Sequence, residues 1–580
     1  MKHILMVLGY LLPAAGFAQF TGRVVNENNT GVPFASVTIK KENTGTVTDS
    51  TGRFSFDHHP LSFPFSLIVS SAGYEARELV IRNREVNNVL IQLQPLYQKD
   101  TIIITSRRRR EVLQNVPIPI SVVTGALVED AGAFNVNRLK ELIPSVQLYS
   151  SNPRNTALNI RGQGTTYGLT NDGVEPGVGF YVDGVYYARP AAATLDFIDI
   201  ERIEVLRGPQ GTLFGKNTTA GAFNVITRKP GFKPHANFEV SYGNHGLIQA
   251  KSSVTGTLRK KIAGRLSFSG TQRDGLIENI ATQQKINDIN NLGILGQLLY
   301  TPSDKIDITL AADATSQRPN GYAQVVAGVV TTQRPAYRQF EQIIADLHYD
   351  LPGRDPFDRK IDHNTTWRSG NDLGGISLNA DIKLGTGTLT STSSWRYWKW
   401  DPSNDRDFTG LPVLTLSQAP SKHKNWSQEI RYAGDLSSRL SGVFGLFAIG
   451  QELKTDPYHT EESGAAQWRF SQNTTNPKWD TPGLFDGYGI RTSSLLHTFS
   501  GAAFGQLDVA ITERLHLLGG LRYNYDGKKV DFNRQTYGGM ETDDPDLIAL
   551  KNTVYSNQAF NTNTSNTNLS GLLTVAFRVA

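Results

Sequence analysis

The sequence predicts a mainly β protein in three successive parts: a β-sandwich, a mixed α/β segment and an antiparallel transmembrane β-barrel. Short β-prone runs separated by turn residues fill residues 19–95. Residues 116–230 combine similar runs with a short helical pattern. From about residue 232, apolar and polar residues alternate with period two, which is typical of strands that have one apolar face.

The composition excludes several classes of function. The chain has 580 residues, of which 19% are charged, and its net charge is only +5. This charge does not indicate a nucleic-acid partner. Cysteine is absent, which excludes a disulfide scaffold, a zinc–thiolate site and a cysteine nucleophile. We expect no cofactor and no bound metal.

The N-terminus predicts a secretory signal peptide over residues 1–18. A basic start at Lys2 is followed by a short apolar core and the small-residue pattern Gly16-Phe17-Ala18. We expect cleavage between Ala18 and Gln19. The apolar core is shorter than the ~20 residues that a membrane-spanning helix needs.

Residues 19–95 predict a small β-sandwich. Turn residues such as Asp49-Ser50-Thr51-Gly52 separate its strands. His58 and His59 are the only candidate metal ligands in this part, and without spaced partners we interpret them as solvated turn residues. The predicted strands are Thr21–Val25, Ala35–Lys40, Gly45–Thr48, Arg53–Phe56, Ser66–Ser70, Glu78–Ile81 and Val89–Leu93.

Residues 96–115 predict a linker with an unusual composition. The β-prone run DTIIIT, residues 100–105, comes just before four arginines, Arg107–Arg110. We interpret the run as an exposed strand without a pairing partner, which the arginines keep solvated. A second hypothesis is that the arginines steer a partner or touch phospholipid.

Residues 116–230 predict a compact mixed domain. A helix is expected over Asn137–Leu142, before Pro144, and Asp183-Gly184 is a hairpin signal. The run GPQGTLFGKNT superficially matches a phosphate loop, but Gln210 and Asn217 stand where that motif needs Gly and Ser or Thr. We therefore reject a nucleotide site. Strands are expected over Ala157–Arg161, Gly179–Val182 and Ile203–Arg207.

Residues 231–580 predict the barrel. Short turns alternate with long polar connections, which is typical of outer-membrane barrels. A propeller is disfavoured because no repeat is visible. The long connections are expected at roughly 315–365, 401–420, 454–493 and 527–563.

Three sequence elements carry a family resemblance. The runs IRG, YVDGV and IERIEVLRGPQGTLFGKNTTAGAFNVITRKP resemble, in order and spacing, the plug domain of TonB-dependent outer-membrane receptors. The run GRVVNENNTGVPFASVTIKKENTGTVTDSTGRFSF resembles a carboxypeptidase-regulatory-like domain. Together they resemble the arrangement in Bacteroidetes receptors of the iron-complex type.

The resemblance implies two sites. The first is a TonB box, where an energised inner-membrane protein of the TonB type would add a strand. The second is a latch of plug arginines on a barrel glutamate, for which Glu429 is the candidate; the alternative is that Glu429 simply pairs with neighbouring strands. The implied box residues are Asp100, Thr101, Ile102, Ile103, Ile104 and Thr105, and the implied latch arginines are Arg161 and Arg207.

The strand count differs from that of the resembling receptors. We count about 14 strands, against about 22 in outer-membrane transporters with a plugged lumen. The last residue, Ala580, lies inside a predicted strand. We therefore expect the chain to be part of a longer receptor or a broken gene.

The resemblance implies active import in the outer membrane of a Gram-negative bacterium, with no enzyme activity. We expect a scarce ligand, foremost a ferric siderophore or another iron complex. The alternatives are a glycan, cobalamin or a peptide, and, in another class, a surface signalling receptor. The expected partners are the TonB-type protein, the ligand and membrane lipid, with a surface lipoprotein left open.

Overall fold

The computed structural model describes residues 20–40, 42, 44–56, 63–82, 88–94, 102–109, 111–133, 135–150, 156–164, 173–365 and 367–577. The predicted leader with Ala18 and Gln19, the pair His58–His59, and Asp100, Thr101 and Arg110 lie outside them. The chain forms two compact units, Met1–Ile102 and Ile103–Ala580. Within the described residues, every helix is too short or too polar to cross a membrane.

The first unit is a β-sandwich, as predicted. Two sheets, in the orders β4-β1-β7 and β3-β2-β5-β6, share one apolar core. Val24, Val37 and Leu67 come from both sheets and are fully buried in it. The strands are β1 (Phe20–Val25), β2 (Ser36–Ile39), β3 (Gly45–Val47), β4 (Arg53–Phe56), β5 (Phe65–Ser70), β6 (Arg77–Ile81) and β7 (Val89–Gln92).

The second unit begins with a mixed α/β region, residues 103–230, which we call the inner segment. Its main sheet has the order β10-β16-β17-β14-β15, and β11-β12-β13 form a smaller one. Its elements are β8 (Ile103–Ile104), β9 (Glu111–Val112), β10 (Ile120–Thr124), α1 (Gly125–Asp130), α2 (Val136–Leu139), β11 (Val146–Ser150), β12 (Thr156–Ile160), β13 (Gln163–Gly164), β14 (Val178–Val182), β15 (Val185–Tyr186), β16 (Ile200–Arg207) and β17 (Gly221–Thr227).

Local sequence explains where helix α2 begins and why β14 and β15 form a hairpin. The side chain of Asn135 accepts hydrogen bonds from the first turn of α2, so the helix begins one residue earlier than expected and becomes a looser turn before Pro144. Asp183 and Gly184 both have positive φ, 49° and 83°, which the tight hairpin between β14 and β15 requires. The predicted hairpin is confirmed.

The rest of the second unit is a 14-stranded antiparallel sheet with elements in its long connections, among them a separate three-stranded sheet of the order β22-β21-β25. The strands are β18 (His235–Gly243), β19 (Leu247–Arg259), β20 (Ile262–Arg273), β21 (Ile277–Asn279), β22 (Gln284–Ile286), β23 (Ile289–Ser303), β24 (Ile306–Gln317), β25 (Lys360–Ile361), β26 (Arg368–Leu384), β27 (Gly387–Ser403), β28 (Leu414–Gln418), β29 (Ser421–Ser437), β30 (Leu440–Thr455), β31 (His459–Ser463), β32 (Gly489–Ala510), β33 (Leu515–Tyr537) and β34 (Gln558–Phe577). The helices are α3 (Phe340–Asp346), α4 (Gln467–Ser471) and α5 (Pro545–Val554).

The sheet has an inward and an outward face. In β29, His423, Asn425 and Glu429 are buried, while Trp426 and Ile430 are nearly half exposed. This is the alternation that the sequence predicts. Inward-facing residues of strands from β20 to β34 contact the inner segment, so the sheet wraps around it.

One predicted connection is wrong in its bounds. The expected loop over 527–563 shrinks to residues 538–557, because β33 continues to Tyr537 and β34 begins at Gln558. The polar residues there pair through their backbones, and Phe532 stacks on Phe560 at 4.9 Å. A strand outside an apolar environment needs no apolar face, so polarity alone does not indicate a loop.

Candidate functional site

The candidate site is the polar interface between the inner segment and the inward face of the sheet. Period-two alternation places polar side chains on this face, where the inner segment buries them. Buried polar groups must find partners, and here many of those partners lie across the interface. Large buried polar side chains on the inward face include Arg265, Gln297, Gln317, Arg396, Glu429, Gln506 and Arg522.

A small hairpin starts the inner segment. Ile103 and Ile104 pair with Val112 and Glu111, and Ile104 is fully buried. The amide of Thr105 donates to Glu204 Oε1 at 2.9 Å. The prediction of an exposed, unpaired strand is therefore wrong for residues 103–105 in this structure. The hairpin supplies the backbone partners that a free strand would lack.

Glu204 anchors this hairpin from β16. Its side chain is fully buried and accepts from Asn224 Nδ2 at 3.0 Å. Arg202 Nε lies 2.9 Å from Glu204 Oε1 and supplies the compensating charge. A buried carboxylate with a charged partner and several donors is a rigid anchor, because loss of one contact leaves the others in place.

Arg107 and Arg108 are buried and Arg109 is partly buried, which corrects the second part of that prediction for these three arginines. Arg107 is 4% exposed, and its Nε donates to Glu111 Oε2 at 2.7 Å. Arg107 and Arg109 each lie 3.6 Å from Asp508 of β32. Burial opposes the charge of Arg107, but Glu111 and Asp508 outweigh it and raise the pKa of the guanidinium.

Arg108 forms an ion pair with Glu429 and so connects the inner segment to the sheet. Its guanidinium lies 3.3 Å from the Glu429 carboxylate and 4.5 Å from the centre of the Phe214 ring. Both charged side chains are nearly inaccessible to solvent. Arg431 of the same strand also contacts Glu429, at 2.6 Å. The ion pairs of Glu429 are thus with an arginine of the inner segment and with an arginine of its own strand, and not with a neighbouring strand.

The two predicted latch arginines lie elsewhere. Arg161 follows β12 with φ 54° and is exposed. Arg207 ends β16, and its Nε is buried without a partner among the described residues. The arginine that meets Glu429 from the inner segment is Arg108, a residue that the sequence predicts to be solvated.

A second contact between the inner segment and the sheet involves Asp199, which lies between the 3-10 turn Pro190–Thr194 and β16. Its carboxylate forms a bidentate pair with Arg265 of β20, with Nη2 to Oδ1 at 2.7 Å. Nearby, Asp196 accepts from Thr271 at 2.9 Å and Asn291 at 3.0 Å. Burial raises the pKa of Asp196, although both hydrogen bonds lower it.

Lys216, in the glycine-rich run GPQGTLFGKNT, makes a third contact between the inner segment and the sheet. Its ammonium lies 3.0 Å from Glu175 and 3.3 Å from Asp526 of β33. Although burial opposes the charge of Glu175, Lys216 and Lys528 hold its pKa below the usual value. A lysine between two carboxylates is a structural contact, which agrees with the rejection of a phosphate loop.

A separate carboxyl cluster joins two long connections of the sheet. Asp405 is fully buried and accepts from the amides of Phe408, at 2.7 Å, and Asn364, at 3.1 Å. Asp407 accepts from the amides of Thr409, at 2.9 Å, and Leu414, at 3.0 Å. Burial and the neighbouring charge of Asp405 raise the pKa of Asp407 to about 7.

Sequence reasoning missed Arg108, Asp199, Glu204 and Asp508 as interface residues. One local signal existed: Arg107 and Glu111 are separated by four positions, a spacing that allows an ion pair in a compact turn. The other contacts join residues that are far apart in the chain. A single sequence contains no pattern that would reveal such pairs.

Two family models match the chain. Residues 112–222 match the TonB-dependent Receptor Plug Domain, and residues 20–103 match the CarboxypepD_reg-like domain. The first covers most of the inner segment, and the second covers the sandwich.

Curated relatives match over part of their length. The pesticin receptor of Yersinia pestis is 26% identical over 189 residues, which is 32% of this chain and 27% of that protein. The ferrichrome outer membrane transporter/phage receptor of Escherichia coli K12 is 27% identical over 218 residues, which is 36% of this chain and 27% of that protein. The matches thus span about a quarter of each relative.

Solved structures share the fold of the second unit. The ferric yersiniabactin uptake receptor FyuA of Yersinia pestis superposes with a TM-score of 0.62 at 19% identity, over 80% of this chain and 62% of that chain. The ferric-catecholate import receptor Fiu of Escherichia coli gives 0.56 at 15% identity, over 82% and 69%. By name, these proteins are receptors and transporters, and the likeness of the solved structures shows the fold of the second unit. The chain thus contains a carboxypeptidase-regulatory-like domain and a plug domain of the TonB-dependent receptor type, followed by a β-sheet that has the fold of receptor barrels.

Proposed function

We propose that the protein takes part in TonB-dependent active uptake of a scarce ligand across the outer membrane. The observation that carries this proposal is the tie between the hairpin at residues 103–112 and the sheet. The hairpin contains the last part of the segment that resembles a TonB box, and Arg108, three residues after that segment, contacts Glu429. A force on the box would therefore act on the plug–sheet contact.

The proposed mechanism is mechanical. A TonB-type protein adds a strand to residues 100–105, with backbone hydrogen bonds as the main source of affinity. Because Ile103 and Ile104 already pair with β9, this strand must first leave its hairpin. Pulling then separates Arg108 from Glu429 and Arg107 from Asp508. Breaking a buried ion pair by removing one partner costs roughly 3–5 kcal/mol, so these contacts resist movement without force.

An iron complex is the ligand that we favour. Relatives include a ferrichrome transporter and a ferric yersiniabactin receptor by their names, and this supports the choice. Vitamin B12 transporters are also among the relatives, so cobalamin is the second candidate. A glycan or a peptide is less favoured. A signalling role is disfavoured because the described N-terminal unit is a β-sandwich without a mixed α/β fold. We propose no catalytic step and leave a surface lipoprotein partner open.

The deciding experiment compares outer-membrane abundance and uptake in iron-starved and iron-replete cells. We expect induction on starvation, and uptake of labelled ferric complexes that requires the TonB-type partner. Deletion of Ile102–Thr105 should abolish uptake while the protein stays in the outer membrane. Ile103→Pro, which removes one backbone donor, is the milder second variant. Partner-independent uptake would contradict the proposed mechanism, and TonB-dependent uptake of cobalamin alone would change only the ligand.

A further inference from the structure

The carboxylate of Asp508 links the hairpin at residues 103–112 to a histidine of the sheet. Its Oδ2 atom lies 3.6 Å from Nη2 of Arg107 and 3.6 Å from Nη2 of Arg109. Its other oxygen, Oδ1, lies 2.9 Å from Nδ1 of His516 on β33. The two oxygens of one carboxylate thus have different partners: two guanidinium groups of the hairpin and one imidazole of the sheet.

His516 is open to solvent and has few charged neighbours. Its side chain is 43% exposed, and it lies at the start of β33, next to the short turn that follows β32. In the part of the chain that the structure describes, its one ion-pair partner is Asp508. Glu513 and Arg514 are exposed in the same turn, and Arg439 is exposed in the turn between β29 and β30. The register partners of His516 on β32 and β34 are both alanines.

Protonation of His516 changes the balance of charge at this carboxylate. With a neutral imidazole, the two hairpin arginines face two carboxylates, those of Asp508 and Glu111. Histidine is the side chain that ordinarily gains its charge between about pH 8 and about pH 5. A protonated His516 is a third cation at Asp508. The attraction of the carboxylate for the arginines is then offset in part by repulsion between the arginines and the imidazolium.

Opening of the hairpin favours the protonated form of His516. Residues 103–112 contain four arginines and one glutamate and so have a net charge of +3. When this segment leaves, it takes more positive than negative charge away from the imidazole, while Asp508 stays on β32. His516 therefore binds a proton more tightly when the hairpin is open than when it is closed. By linkage, a fall in pH must favour the open hairpin.

We propose that protonation of His516 releases the hairpin at residues 103–112 from Asp508, so that acid at the short-turn end of the sheet makes the strand at Ile103 and Ile104 more available. In the proposed function, this strand is the one that a TonB-type protein binds, and the role of the switch in uptake rests on that function. The opening itself requires neither the partner nor a transported ligand.

The test is hydrogen exchange of the intact protein in neutral detergent at about pH 8 and about pH 5, corrected for intrinsic rates. The probes are the amides of β9 and of Thr105, which donates to Glu204 in the closed hairpin. His516→Gln removes the titratable group and keeps a polar side chain. His516→Lys keeps a positive charge at both pH values. The matched control, His497→Gln, makes the same substitution at an exposed position of β32.

We expect the probe amides of the parent and of the control to exchange faster at pH 5 than at pH 8, by about two- to fivefold, because partly exposed ion pairs are weak. His516→Gln should lose this difference, and His516→Lys should exchange fast at both pH values. An acid response of His516→Gln equal to that of the parent would overturn the proposal, as would stronger protection of the parent in acid.

The same measurement separates this proposal from the proposed function. Partner-independent uptake by a protein that keeps its acid response would contradict only the proposed function. Partner-dependent uptake by a parent whose hairpin shows no acid response would contradict only the role of His516.

Discussion

Arg108 stacks on Phe214 of the plug, 4.5 Å from the ring centre, while its guanidinium lies 3.3 Å from Glu429 on β29. This side chain of the predicted linker therefore contacts both the plug and the 14-stranded sheet. The interaction is shielded from water, which strengthens its electrostatic part and makes an unpaired partner costly.

Glu429→Gln should loosen the hairpin at residues 103–112. The substitution removes the charge that compensates buried Arg108, so the arginine run should open more often. We expect trypsin to cleave after Arg107 or Arg108 faster, by on the order of tenfold or more. Glu452→Gln, on the outward face of the neighbouring strand, is the control. An unchanged cleavage rate in the Glu429 variant would show that the pair does not hold the hairpin.

Arg108→Gln should weaken the interface, whereas Arg161→Gln should not. Arg161 is exposed and makes no ion pair among the described residues, and surface substitutions usually change stability by less than about 0.5 kcal/mol. The readout is hydrogen exchange of β9 and of the amide of Thr105. If Arg161→Gln alone accelerated exchange, this would contradict the role given to Arg108 and support the latch role that the family resemblance implies for Arg161.

Asp199→Asn should destabilise the contact between the plug and β20. Arg265 is 8% exposed and would lose its bidentate partner, at a cost of roughly 3–5 kcal/mol. Asn tolerates the positive φ of 53° at this position, so the effect reports the charge and not the backbone. Urea unfolding of the protein in detergent, followed through hydrogen exchange of β16, measures it. Asp304→Asn in an exposed turn is the control.

The connection that contains Asp407 should become less stable as pH rises. The folded pKa, about 7, lies above the ordinary value of 3.8, so the folded loop binds a proton more tightly than the unfolded one. The associated stability is complete below pH 3.8 and is lost as pH rises through about 7, by at most ~1.4 kcal/mol per pH unit. The titratable side chains near Asp407 include Asp362 and His363. Burial lowers the pKa of His363.

The measurement is hydrogen exchange at Thr409 and Leu414 between pH 5 and pH 8, corrected for intrinsic rates. Asp407→Asn imitates the protonated carboxyl and should flatten the pH profile. Asp350→Asn, exposed on the adjoining connection, should leave it unchanged. Loop protection that increases with pH in the parent would contradict the raised pKa of Asp407.

Local patterns made much of the fold predictable. The hairpin at Asp183-Gly184 depends on two adjacent residues, and the inward position of Glu429 follows from alternation with Trp426 and Ile430. The contact of Arg108 with Glu429 depends on the closure of the sheet around the plug. No local pattern encodes this closure, and a run of four arginines ordinarily indicates a solvated segment.

The internal pairing of Ile103 and Ile104 has a consequence for affinity. A strand engaged in its own hairpin is available only for the fraction of time in which that hairpin is open. The apparent dissociation constant for an external strand is then the intrinsic constant divided by this fraction. Any ligand that favours the open hairpin must, by reciprocity, be bound more tightly once the external strand is in place. Glu204 and Glu429 both contact this hairpin, so we expect them to set how strongly the two binding events are coupled.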